Sequence, residues 1–193
     1  MKDTEGSWYV LKTQPGREEK AVELLSRLAA CNPALSFAVR ILRKRKVFRS
    51  GGVLHVLEDV MFPGYLFVRT AQPEPLCQAL CASREFPQFF CCGPRAAFVP
   101  VAAADLAFLQ HVCGPELDRP MGITEISVGE HKEIVRAHGV LRPYVNRVIC
   151  LNLHKRFAVA EIPLFNRRQE ILFGIRLEQD RTEPDKGART ADA

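Results

Sequence analysis

The sequence predicts an α+β fold in two parts: an antiparallel sheet with helices on one face, followed by a small β-barrel. Three observations carry this. Through residue 112 strand patterns outnumber helical ones, and several follow one another with no helix between them, which favours an antiparallel sheet. The stretch Met61-Phe62-Pro63-Gly64-Tyr65-Leu66-Phe67-Val68 reads as a strand with large apolar side chains on both faces, Tyr65 and Phe67 on one and Leu66 and Val68 on the other. From Val128 to Glu178, short apolar runs alternate with Gly, Asn, Pro and basic residues, the spacing of short barrel strands.

Taken in order, Ser7-Trp8-Tyr9-Val10-Leu11-Lys12 is the first strand, with Trp8 and Val10 opposite Tyr9 and Leu11. Thr13-Gln14-Pro15-Gly16 is a turn signal. Arg17 to Ala30 reads as an amphipathic helix with its apolar stripe on Ala21, Leu24, Leu25 and Leu28, and Asn32-Pro33 stops it. Leu35 to Phe48 is extended in character. The densest charge lies here, Arg40, Arg43, Lys44, Arg45, Lys46 and Arg49 with no acidic residue between them. Two readings stay open: a solvated hairpin that guards a sheet edge with charge, or a phosphate contact that gains affinity by counterion release. Ser50-Gly51-Gly52 turns the chain into a strand over Val53 to Val60. A second helix is predicted over 74–85, a short strand over 97–99, and a third helix over 101–112. The composition of Cys113 to Glu125 is that of a linker. The predicted domains are therefore 1–112, a linker over 113–125, and 126–180, with a disordered tail over 181–193.

The 193 residues suffice for one full domain and a small one. Hydrophobic residues make up 47% and charged residues 25%, so the chain can bury a core. No run approaches about 18 consecutive apolar residues, which excludes a helical membrane span. The opening residues lack the apolar stretch of a secretory signal, and a cytoplasmic protein is expected. Seven cysteines with no C-x-x-C pair indicate neither a disulfide framework nor a zinc site; Cys77 with Cys81, and Cys91 with Cys92, read as plain thiols. No cofactor or metal is expected. The net charge of +5 matters less than its distribution.

Trp8-Tyr9-Val10, then Gly16-Arg17-Glu18-Glu19-Lys20 opening a helix, then Phe62-Pro63-Gly64-Tyr65-Leu66-Phe67-Val68 resemble the amino-terminal (NGN) domain of the NusG family of transcription elongation factors. Val128-Gly129, Gly139 and the run to Glu178 are similar to its SH3-like KOW domain. Two further segments, His154-Lys155-Arg156-Phe157-Ala158 and Leu164-Phe165-Asn166-Arg167-Arg168, are similar to the LoaP paralogues, antiterminators of long bacterial operons.

The resemblance implies a non-enzymatic, monomeric factor that docks on the clamp helices of RNA polymerase and suppresses pausing and termination. Trp8, Lys12, Phe62, Pro63, Tyr65 and Phe67 would line the docking surface. Aromatic anchors on a rigid strand suit that role. Trp8 reads equally as a core residue, whereas Tyr65 with Phe67 reads as interface. For the KOW domain the resemblance implies either an RNA hairpin or a protein partner, a ribosomal small-subunit protein or Rho. Residues 128–180 hold nine Lys or Arg against six Asp or Glu, which favours RNA or DNA. Arg142, Arg147, His154, Lys155, Arg156, Arg167 and Arg168 are the candidate contacts there, with Arg40, Arg43, Lys44, Arg45 and Lys46 in the first domain. Pro143 and Asn146 stand where the KOW pattern carries glycine, and Asn146 is expected to support a left-handed turn.

Two rivals come from other classes. A KOW-containing ribosome-associated protein would bind many RNAs through the 40–49 stretch and would not bind polymerase. A thiol enzyme would use Cys91 or Cys92, yet no Gly-rich phosphate loop, H-E-x-x-H or G-x-S-x-G is present.

Overall fold

A computed structural model of the chain describes residues 6–51, 53–83, 98–178 and 180. These fall into two compact units, one drawn from 1–42 with 60–107 and the other from 43–59 with 108–193.

In the first unit, β1 (Ser7–Lys12), β2 (Phe37–Arg40), β5 (Tyr65–Thr70) and β6 (Val99–Pro100) form a sheet in the order β2-β5-β1-β6, antiparallel throughout. Helices α1 (Glu18–Cys31) and α2 (Pro73–Ala82) cover one face. Alternation along the strands puts Leu11, Leu66 and Val68 on that face, where they are buried with Leu24, Leu25, Leu76 and Leu80. Pro73 suits the first turn of α2, where no backbone donor is needed. The Cys91-Cys92 pair and the tail expected over 181–193 lie outside the described residues.

Most of the second unit is a five-stranded sheet. It runs β8 (Ile134–His138), β7 (Thr124–Val128), β11 (Arg167–Leu177), β10 (Phe157–Leu164), β9 (Val148–Asn152). Ile126, Ala158, Ala160, Ile162, Phe173 and Ile175 alternate inward to fill its core. The β10–β11 hairpin turns on Phe165 and Asn166, both at positive φ, as a two-residue turn of that twist requires. The chain from 113 to 125, linker-like in composition, carries the buried side chains of Leu117 and Met121.

The strands β3 (Arg43–Ser50) and β4 (Val53–Val60) pair with each other, and β3 lies against the barrel. Met121 holds its start: Arg45 N–H donates to the Met121 carbonyl at 3.0 Å, and Met121 N–H to the Arg43 carbonyl at 2.8 Å. Gly174 of β11 makes the approach possible, because a Cβ there would stand 2.4 Å from the Arg45 carbonyl oxygen.

Asn146 does not form the expected left-handed turn. Residues Arg142–Arg147 coil into a 3-10 helix instead, with Pro143 near its start, where a fixed φ and a missing donor cost nothing. Among the described non-glycine residues, positive φ falls on Leu117, Lys132, Arg156, Phe165 and Asn166.

Candidate nucleic-acid and polymerase interfaces

The Phe62–Tyr65 turn is bound to the start of α1. Gly64 has φ +82°, and a Cβ there would lie 3.0 Å from the Thr13 carbonyl oxygen, so only glycine fits without strain. Its N–H donates to Glu18 Oε1 at 2.6 Å, while its carbonyl accepts from Thr13 N–H at 2.8 Å. Glu18 is buried and spends its carboxylate on this bond.

The register of β1 on β5 pairs Trp8 with Arg69, Val10 with Phe67 and Lys12 with Tyr65, so these six share the face opposite the helices. Their burial differs from the sequence expectation. Phe67 is fully buried, Trp8 and Phe62 nearly so; the Phe62 and Phe67 rings meet at 5.9 Å, and the Arg69 guanidinium lies 5.6 Å over Trp8. Phe67 is therefore a packed core aromatic with no surface to offer a partner, whereas Tyr65 keeps part of its surface. Of the six predicted docking residues, Lys12 and Pro63 are exposed and Tyr65 is half-buried.

The basic residues divide into three groups. On the hairpin, Arg45 Nε meets Glu58 Oε1 at 3.1 Å and Lys46 pairs with Asp59, so the return strand partly neutralises a run that contains no acid of its own. Burial, with a smaller contribution from Lys46, pulls the Lys44 ammonium below its ordinary pKa. Arg40, at the end of β2, is half-buried and its Nη1 donates to the Val39 carbonyl at 3.0 Å.

Around the 3-10 helix, Tyr144 packs on Phe108 (5.4 Å) and Phe173 (6.3 Å), which anchors the turn and leaves Arg142 and Arg147 exposed. Arg167 and Arg168 are exposed at the β10–β11 turn, with Arg168 Nη1 2.9 Å from Glu161 Oε1 across the ladder.

The third group, the β9–β10 turn, presents His154 and Lys155 to solvent. Arg156 is spent on the fold. Its Nε donates to Asp180 Oδ2 at 2.8 Å and its Nη2 to Oδ1 at 2.7 Å, while Nη1 donates to the Leu153 carbonyl. Burial pushes the Asp180 carboxyl up. The Arg156 bond, the Leu177 N–H and the charges of Arg156 and Arg49 outweigh it, and the pKa lies below its ordinary value. Arg156 thus acts as a structural clamp: its backbone sits at φ +55° and Nε, Nη1 and Nη2 each donate within the fold.

The two basic segments, over a hundred residues apart in sequence, meet. Lys46 and Arg49 of the hairpin and His154, Lys155 and Arg156 of the β9–β10 turn line one cleft of about 640 Å³, floored by Phe48, Leu57, Phe157 and Leu172. Sequence reasoning missed Phe48 and Leu57 as surface residues. The signal was the Val47-Phe48 pair inside a basic run: one of the two must face outward in a strand, and Phe48 does.

An antiparallel α+β sheet with these turn and helix-start motifs, followed by a small β-rich unit, is the architecture on which the family comparison bears. The chain belongs to the NusG family: the family model described as transcription termination factor nusG matches residues 6–104, just over half of its length. Members of this family are non-enzymatic factors that bind RNA polymerase. Among solved structures, the chain is similar to one solved for domain interaction in Thermotoga maritima NusG, with 14% identity, coverage of 88% of this chain and 94% of that one, and a TM-score of 0.46. No curated protein matches it. Among the described residues no helix is long and apolar enough to cross a membrane.

Proposed function

We propose that this protein is an antitermination factor of the LoaP type. Its first unit docks on the clamp helices of RNA polymerase through Tyr65 with Lys12 and Pro63, and so suppresses pausing and termination. Its second unit contacts a structured RNA hairpin through Arg142, Arg147, His154, Lys155, Arg167 and Arg168. The observation that carries the RNA reading is the convergence of two distant basic segments on one cleft of the second unit. Clustered cations attract RNA phosphate, and a small rigid barrel presents them in fixed geometry.

The test is binding of the full chain to an RNA hairpin panel across a salt series, alongside binding to isolated clamp helices. Hairpin-selective binding that weakens with Lys155→Ala, and clamp binding that is lost with Tyr65→Ala plus Lys12→Glu, are the expected results. Absence of hairpin selectivity would remove the LoaP-type assignment.

A second reading gives the barrel a protein partner, a ribosomal protein or Rho. Exposed Val135 and Ile149, on β8 and β9, are the apolar side chains such a partner would cover. Binding that is lost with Val135→Asp but indifferent to Lys155→Ala would select it.

A further inference from the structure

We propose that the cleft between the β3–β4 hairpin and the β9–β10 turn receives an unpaired base from the loop of an RNA hairpin, with Phe48 as the stacking platform. This rests on the reading that the second unit contacts RNA and says where an RNA loop would enter.

Phe48 is 39% exposed and Leu57 48%, and the two line the same cleft. The Phe48 ring already has one stacking partner. His55 lies on it with centroids 5.0 Å apart and planes 25° from parallel, a contact that favours this ring orientation. Phe48 also lines the cleft. A flat aromatic in an open cleft suits another flat group.

The rim selects the charge of the occupant. Lys46, Arg49 and Lys155 stand there with His154, and no acidic residue is among the described lining residues. Asp59 and Asp180, which hold Lys46 and Arg156, act from outside the cleft and fix the rim. A volume of about 640 Å³ lies within the roughly 300–1,000 Å³ of small-ligand pockets, enough for a base with its sugar. An apolar peptide anchor would make no use of the cationic rim, and an acidic peptide would leave the Phe48 face unused. A nucleotide uses both, as in single-strand sites that combine a cationic groove with stacking rings. Within a hairpin RNA, bases free to splay out belong to the loop.

The test uses the full chain, an RNA hairpin carrying 2-aminopurine in its loop, and a fully paired duplex of the same stem. Binding is followed by anisotropy and stacking by 2-aminopurine quenching. Quenching is expected with the wild type. Phe48→Ala should abolish it and weaken hairpin binding about tenfold, with duplex binding and the salt slope unchanged. Leu57→Glu, which places an anion in the cleft, should weaken hairpin binding as well. Both positions are solvent-facing, and circular dichroism with thermal melting verifies the fold of each variant. Hairpin binding that is unaffected by Phe48→Ala and gives no quenching overturns the cleft and leaves the RNA reading standing. No binding to any RNA overturns both, as does Phe48-dependent capture of an acidic peptide in its place.

Discussion

Gly64 N–H donates to Glu18 Oε1 at 2.6 Å, joining the turn before β5 to the first turn of α1 across 46 residues of chain. Two sequence motifs, one opening a helix and one opening a strand, are thus two ends of a single charge-assisted bond. Glu18→Ala leaves the Gly64 donor unsatisfied in a buried place and is expected to cost about 2–3 kcal/mol. Glu18→Gln keeps an acceptor oxygen and should cost about half as much. Urea unfolding of the two variants gives the comparison, and equal losses would show that the contact acts through packing alone.

Arg156 with Asp180 makes the strongest prediction in the second unit. The Asp180 side chain is only 3% exposed, and removing it strands a guanidinium at 12% exposure. Asp180→Ala should therefore cost about 3–5 kcal/mol, as for other buried pairs broken from one side. The pH dependence follows from the depressed pKa of Asp180. A carboxyl whose folded pKa lies below its ordinary 3.8 contributes stability that is complete above that value and is lost as pH falls through the folded pKa. The gap between wild type and variant should stay constant from about pH 8 to pH 5 and narrow below about pH 4. Denaturant midpoints at each pH measure it.

At Gly174, alanine would place its Cβ 2.4 Å from the Arg45 carbonyl oxygen, a backbone atom with no free rotation to escape. The barrel should keep its fold while β3 is displaced from β11. Hydrogen exchange should then show loss of protection at the Arg45 amide, whose partner is the Met121 carbonyl. Unchanged protection there would mean that the hairpin yields without detaching.

Cys113 is fully buried, and desolvation pushes its thiol up to about 12. At pH 8 such a thiol is almost wholly protonated and unreactive. Among the described cysteines, Cys31, Cys81 and Cys150 are exposed and should react with a disulfide reagent in the native protein. Cys113 should react only on unfolding. Mass mapping of alkylated peptides before and after denaturant distinguishes the two classes.

The sheet and barrel were legible because alternation is local: Leu66 and Val68 face the helices for the same geometric reason that Phe67 faces the other way. What alternation leaves undetermined is whether the opposite face is open, and Phe67 proved buried. Arg156 was read as a ligand contact because its partner, Asp180, lies 24 residues away beyond a whole β-hairpin, a pairing no spacing rule reports. The cleft was hidden for the same reason. Its two rims are contiguous basic runs, each visible, but their meeting depends on Gly174 admitting β3, and a single glycine in a strand gives no direction to what approaches it.

The last prediction concerns the acids of the hairpin. Arg45 and Glu58 are 46% and 42% exposed, so their 3.1 Å pair contributes only about 0–1 kcal/mol to stability. Its larger effect is on charge, because Glu58 offsets a cation that would otherwise attract phosphate. Glu58→Gln should leave the melting temperature almost unchanged and raise RNA affinity about threefold at low salt. The gain should vanish near 0.3 M salt, about where screening removes exposed-charge effects. Arg45→Gln should do the opposite. If both substitutions leave affinity unchanged at low salt, the hairpin is not part of the RNA-binding surface, and the charges on β3 serve only to guard a sheet edge.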